Sequence, residues 1–317
     1  MNRKPSLIRL GTRGSKLALV QANWVKDRLE EQHPGLAVEL VIIKTTGDRI
    51  LDAPLAKVGG KGLFVKEIEE ALIAGRIDLA VHSMKDMPAQ LPHGLCISAV
   101  PQRENPLDAF LSHDGLLPAD LPEGARVGTS SLRRSSQLLH QRPDLTILPL
   151  RGNLDTRLKK LAGGQELDAI VLATAGLRRL GLDRHITVIL EPDIMLPAVG
   201  QGALCLESRT NDASTSEVVA VLDHPVTHLA VMAERAFLHR LEGGCQVPIA
   251  AHATIEKEEL KISGLVAELD GSRLIKDKMA GPCDQATDLG VRLAEKLLAR
   301  GADAILERLA HDAGRTQ

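Results

Sequence analysis

The chain has 317 residues, 44% hydrophobic and 25% charged, an ordinary globular balance that suffices for two or three domains. Lys and Arg number 39 against 41 Asp and Glu, and the formal charge of -2 excludes a generally basic nucleic-acid or membrane binder. Aromatic residues are only 1%, with Trp24, three Phe and no Tyr, so nucleic-acid bases would find few stacking platforms.

No apolar run approaches the ~20 residues of a membrane span, and Met1 to Ser6 lacks the apolar region of a secretory signal. A cytoplasmic protein is expected. Cys96, Cys205, Cys245 and Cys283 lie far apart without a C-x-x-C pair, which predicts free thiols in a reducing compartment.

In chain order, short β-branched runs alternate with amphipathic stretches, the pattern of open sheets flanked by helices. Strands are predicted at Leu7 to Leu10, Val38 to Lys44, Leu79 to Val81, Leu95 to Val100, Arg126 to Gly128, Thr146 to Leu150, Ala169 to Ala173 and Ala203 to Glu207. The helix from Lys16 to Gln32 has Ser15 as N-cap and is stopped by Pro34 and Gly35. After His224 come a helix to about Arg240, three strands (Ile249 to Ile255, Glu259 to Leu269, Ser272 to Met279) and a helix from Asp284 to Arg300.

The expected class is therefore α/β with a small α+β C-terminal unit. Hinges at Pro101 to Pro106 and Leu196 to Gln201 divide the chain, and the strand after the second hinge is placed back in the first sheet. The resulting domains are residues 1–101 with 202–222, residues 107–198, and residues 224–317.

Several strand ends carry the same kind of residue. Arg13 and Ser15 follow Leu10; His82, Ser83, Met84, Lys85 and Asp86 follow Val81. Thr129, Ser130, Ser131, Arg133 and Arg134 follow Val127, Arg151 and Arg157 follow Leu150, and Arg178 and Arg179 follow Ala173. One arginine after a strand is usually a solvated side chain. Five coincident cases, at the strand ends where open α/β sheets bind ligands, point to a cleft for a ligand with several carboxylates or phosphates. Asp86 is the exposed-looking acid among them. It is either an ion-pair partner or a carboxylate reserved for a transient cation, kept ionised by its neighbours.

From Gly47 to Phe64, Pro54, Gly59, Gly60 and Gly62 accompany Lys57 and Lys61, and the segment reads as a mobile lid over residues 47–62. It matches no phosphate-binding loop, and no dinucleotide fingerprint occurs. Cys245 follows two glycines in LEGGCQVP, as suits a loop thiol approached closely by a ligand, while Cys96 and Cys205 sit in apolar strands. His224 and His228 have helical spacing, but Pro225 reads as a helix start and no third ligand is near, so no metal is expected.

VHSMKDMP, GTSSLRR, LRGNLDTR, LPAVGQGA and ERAFLHRLEGGCQVP, in this order, resemble the porphobilinogen deaminase (hydroxymethylbilane synthase) family. The likeness runs from about Ile8 to Arg300 and thins between Ser112 and Gly124 and after Ala251. That short segment and the lack of tyrosine are unlike some relatives.

The resemblance implies two periplasmic-binding-protein-like α/β domains around a cleft, with a third domain carrying Cys245. It implies a dipyrromethane cofactor joined to Cys245 as a thioether. Four porphobilinogen units would be added to this primer with loss of ammonia, and hydrolysis would release 1-hydroxymethylbilane. Arg13, Ser15, Thr129, Ser130, Ser131, Arg133, Arg134, Arg151, Arg157 and Arg179 match positions that hold acetate and propionate side chains. Lys57, Lys61, Phe64, Ser83, Lys85 and Gln201 are further expected binding residues, with Phe64 packing on a pyrrole. Asp86 would stabilise the azafulvenium cation and then take up a proton.

A monomer with no nucleic-acid or membrane partner is implied. The competing reading is a two-lobed, non-catalytic anion-binding protein. A phosphate-handling transferase would need a metal or P-loop signature that the sequence lacks.

Overall fold

The computed structural model describes residues 5–49, 64–164, 166–241 and 247–315. The chain first runs through β1 (Leu7–Thr12), α1 (Lys16–Gln32), β2 (Ala37–Ile42), α2 (Thr46–Arg49), α3 (Lys66–Ile73), β3 (Leu79–Ser83) and β4 (Leu95–Ala99). It continues through β5 (Asp108–Ser112), β6 (Arg126–Gly128), α4 (Leu132–Gln141), β7 (Thr146–Leu148), α5 (Leu154–Ala162), β8 (Ala169–Ala173), α6 (Thr174–Arg179) and β9 (Val188–Leu190). Then come β10 (Leu204–Arg209), α7 (Ala213–Val219) and α8 (Pro225–Arg240). The last elements are β11 (Ile249–Glu256), β12 (Glu259–Ala267), β13 (Leu274–Pro282), α9 (Ala286–Leu297) and α10 (Asp303–Arg315).

These strands form three sheets, ordered β2-β1-β3-β10-β4, β7-β6-β8-β5-β9 and β11-β12-β13. The first two repeat one plan: parallel strands (β2, β1, β3; β7, β6, β8) meet an oppositely directed fourth strand, β10 or β5. The third is an antiparallel meander. The α/β class with a C-terminal α+β unit is as the sequence implied, and the chain does return to the first sheet as β10.

Local chemistry explains the elements. Ser15 Oγ accepts the Ala18 N–H and starts α1, whose Ala22, Val25 and Leu29 pack on Ile8, Leu10, Leu79 and Val81. In the second sheet Phe110, Val127, Ala169 and Val171 form one core face. In the third unit Phe237 of α8 meets Ile262, Leu289 and Leu293. The helix predicted from Asp284 to Arg300 is α9 with the turn that follows it, and Gly301 at φ +96° separates it from α10, which was not predicted.

The two crossings between the first two sheets are held at one point. Glu234 of α8 is fully buried and accepts Arg103 Nη1 at 2.6 Å, Arg103 Nη2 at 3.1 Å, Gly200 N at 2.7 Å and Ala253 N at 2.8 Å. One carboxylate thus ties both crossings to β11. Beside it Gly202 has φ +88°, and a Cβ there would lie 2.3 Å from Glu104 O, so no other residue fits this crossing.

Candidate active site

The cationic residues sit where the strands deliver them. β1 ends in Arg13 and the cap Ser15, and β3 ends in a single tight turn, Met84–Asp86, that carries Lys85 and Asp86. Buried Met84 anchors this turn, its N–H donating to Ala203 O at 3.0 Å. Arg13, Ser15, Phe64, Ser83 and Asp86 line one pocket. Ser83 Oγ accepts from Gln21 Nε2 at 3.2 Å, and Phe64 lies under the Arg13 guanidinium, 4.3 Å from ring centroid to Arg13 Cζ.

The second sheet supplies the facing charges. Thr129, Ser130 and Ser131 form the turn into α4: Thr129 Oγ1 accepts Ser131 N at 3.1 Å and Ser130 Oγ donates to Leu150 O at 2.9 Å. Arg151 follows buried Leu150, and Arg157 lies on α5, its Nε donating to Gly152 O at 2.9 Å. Arg179, at the end of α6, donates to Gly202 O at 2.8 Å, while Arg178 is exposed and pairs with Glu104 at 3.0 Å.

Electrostatics tie Lys85 and Arg157 to Arg134 and Asp86. Lys85 is pushed down to about 8, first by burial and then by the charge of Arg134. Burial, then Arg134, brings Arg157 down to about 10, and Asp86 opposes that shift. Burial lowers Arg179 to about 10 as well. A cluster of cations that depress one another is costly, and it is relieved by anions brought from outside.

Three expected binding residues are buried and bonded to groups of the protein itself. Arg133 and Arg134 are buried and turned onto Asp108, at 2.7 Å each. Arg134 also donates to Val171 O at 3.0 Å, so each of its nitrogens is engaged inside the protein. Arg133 Nε, by contrast, is buried with no hydrogen-bond partner among the described residues. Gln201 is likewise fully buried: its Nε2 donates to Pro106 O at 2.7 Å and Asp108 at 3.0 Å, and its Oε1 accepts Lys85 Nζ at 3.3 Å. It supports Lys85 from behind. Burial alone would raise the Asp108 carboxyl, but Arg133 and Arg134 outweigh this and hold it well below the usual range.

Asp108 went unnoticed in the sequence because it opens a strand that was not predicted. Asp48 was missed as well; it pairs with Arg13. A third overlooked group is Glu207 of β10: its Oε2 lies 3.0 Å from Nε2 of His82 on β3, both buried. Nearby Glu69 is raised to about 7, by burial and then by the charge of Glu207. Cys245, Lys57, Lys61 and most of the expected lid lie outside the described residues. The other three cysteines are free thiols, with Cys205 buried. His224 caps α8, which starts at Pro225 as predicted, and His228 pairs with Asp223 at 2.8 Å.

Residues 8–217 match the family model described as porphobilinogen deaminase, dipyromethane cofactor binding domain, and residues 228–299 match that of the porphobilinogen deaminase C-terminal domain. The chain belongs to the porphobilinogen deaminase family. A relative named porphobilinogen deaminase from Syntrophotalea carbinolica is 60% identical over 304 residues, 96% of each chain. Relatives of the same name from Geobacter metallireducens (55% identical, 95% of this chain and 94% of the relative) and Nitratidesulfovibrio vulgaris (57%, 94% and 95%) agree. Among solved structures, the periplasmic aliphatic sulphonate binding protein SsuA from Escherichia coli is 17% identical, with TM-score 0.41, covering 75% of this chain and 71% of that one.

The family match makes the chain a transferase with a dipyrromethane cofactor and disfavours the non-catalytic reading. The donor set fits such a group. Its acidic side chains would meet Lys85 and Arg157.

Proposed function

We propose that Asp86 is the catalytic carboxylate of a hydroxymethylbilane synthase whose dipyrromethane is joined to Cys245 as a thioether. The observation that carries this reading is one acid set in a pocket with Arg13 and electrostatically coupled to Lys85 and Arg157. Each porphobilinogen brings an acetate and a propionate. Arg13, Ser15, Thr129, Ser130, Ser131, Arg151, Arg157 and Arg179 hold these carboxylates, and Lys57, Lys61, Phe64, Ser83 and Lys85 are further binding residues. Arg133, Arg134 and Gln201 act from behind, through Asp108 and Lys85.

The cofactor supplies the pyrrole carbon to which the first incoming ring is joined. The aminomethyl group of porphobilinogen is an ammonium at neutral pH, so the pyrrole nitrogen can expel ammonia without a strong protein acid. Asp86 stabilises the resulting azafulvenium cation by charge and by accepting a pyrrole N–H. After coupling it takes the ring proton, restoring aromaticity, and passes it to water or ammonia. Four rounds and a hydrolysis yield the linear tetrapyrrole 1-hydroxymethylbilane.

The domain limits of this reading are 1–101 with 202–222, 107–198 and 224–317, with residues 47–62 as a lid that excludes water. The protein acts as a cytoplasmic monomer without nucleic-acid or membrane partners. Among the described residues no helix is long and apolar enough to cross a membrane.

Ammonia release from porphobilinogen, followed against pH, tests the proposal. Four ammonia per tetrapyrrole are expected, and KM should rise as pH passes about 8, where Lys85 loses the charge that holds a carboxylate. Lys85→Arg keeps its charge and should flatten that rise. Binding of porphobilinogen without ammonia release would reject the proposal in favour of an anion-binding protein.

A further inference from the structure

We infer that Asp48 is a positioning residue that presets Arg13 for a ligand carboxylate. The inference rests on the reading of Arg13 as a carboxylate-binding residue. Ile43 N donates to Thr12 O at 2.8 Å, which sets the exit of β2 against the exit of β1 and so brings Thr45 and Asp48 beside Arg13. Asp48 is itself fixed. Its Oδ2 accepts Thr45 Oγ1 at 2.8 Å, and its own N–H reaches Thr45 Oγ1 at 3.3 Å and Thr45 O at 3.1 Å, with Thr45 fully buried.

Asp48 takes one edge of the guanidinium. Arg13 Nε lies 3.1 Å from Oδ1 and 3.3 Å from Oδ2, and Nη2 also bonds to Oδ1. One face of the guanidinium lies over Phe64. Among the described residues Nη1 has no partner, and Arg13 lines the same pocket as Asp86. An arginine has two edges for bidentate pairing. Here one is occupied by the protein, a face is stacked, and the other edge is left for the cleft.

Magnitude separates this role from a stabilising one. The pair is partly exposed, with side chains 23% and 26% accessible, and pairs of that kind contribute little to folding. Its effect is on binding: a free arginine must be ordered by the ligand that it holds, whereas this one is ordered beforehand. Losing that preorganisation should weaken binding about three- to tenfold.

The test is a double-mutant cycle on the holoenzyme, with rates expressed per cofactor-bearing chain as counted by intact mass. Asp48→Ala should raise KM for porphobilinogen about three- to tenfold, with kcat within about threefold and the thermal midpoint held. Asp48→Asn, which keeps the shape, should behave alike. Arg13→Ala should raise KM further, and adding Asp48→Ala to it should change nothing more. If Arg13→Ala leaves KM unchanged, the reading of Arg13 falls and the inference falls with it. If Arg13→Ala raises KM but Asp48→Ala does not, or the two effects add in full, the inference alone is overturned.

Discussion

Replacing Asp86 with Asn is expected to lower kcat about 100- to 1,000-fold, the usual worth of one preorganised electrostatic group in a transition state. Asparagine keeps the size of the side chain and can still accept a hydrogen bond from a pyrrole N–H. What it lacks is the negative charge and the ability to take a proton, so the variant isolates those two functions. The surroundings make the charge matter, since Lys85 and Arg157 are both electrostatically coupled to Asp86. Among the described pocket-lining residues Asp86 is the one carboxylate, so none of them replaces it. KM should change far less than kcat, because the carboxylates of the substrate are held elsewhere. Turnover within a few-fold of the parent protein would remove Asp86 from the chemistry.

Asp108→Asn should be the most destabilising single change among the residues that support the site. The side chain is completely buried and serves as counter-ion for two buried guanidinium groups, with Gln201 as a third donor. Breaking a buried ion network from one side typically costs about 3 to 5 kcal/mol, because charges remain without a partner. Urea unfolding should show a loss of that size, and a change below about 0.5 kcal/mol would contradict the assignment. The pH dependence has a definite sign. The carboxyl is held below its unfolded value, so its stabilisation is complete above about 4, declines below that as the unfolded chain takes up the proton first, and is gone once acid titrates the folded carboxyl too.

How much of this was legible in the sequence depends on where each signal lies along the chain. α1 could be read because Ser15 and Pro34 mark its ends and its apolar face recurs with helical spacing. The return of β10 to the first sheet was legible from an apolar run directly after the second crossing. Neither β9 nor β5 was predicted: each is short and lies beside a crossing, and β5 opens on a charged residue directly after the first one. The charge that hid β5 is the one that anchors α4.

The strand-end arginines were found because they follow strands. Their partners were not, since Asp108 precedes Arg133 by 25 positions and periodicity says nothing about such pairings. Asp48 was hidden differently: it sits at the start of a segment whose glycines and lysines dominated the reading. The reaction was named from the motifs, and the geometry supplies the physical reason for their residue types.

The most direct measurement is the intact mass of the purified chain before and after brief exposure to porphobilinogen. The chain should carry an adduct of two pyrrole units, then gain mass in ring-sized steps, and Cys245→Ser should show neither. A chain at the bare mass of its sequence that stays there with porphobilinogen would contradict the account.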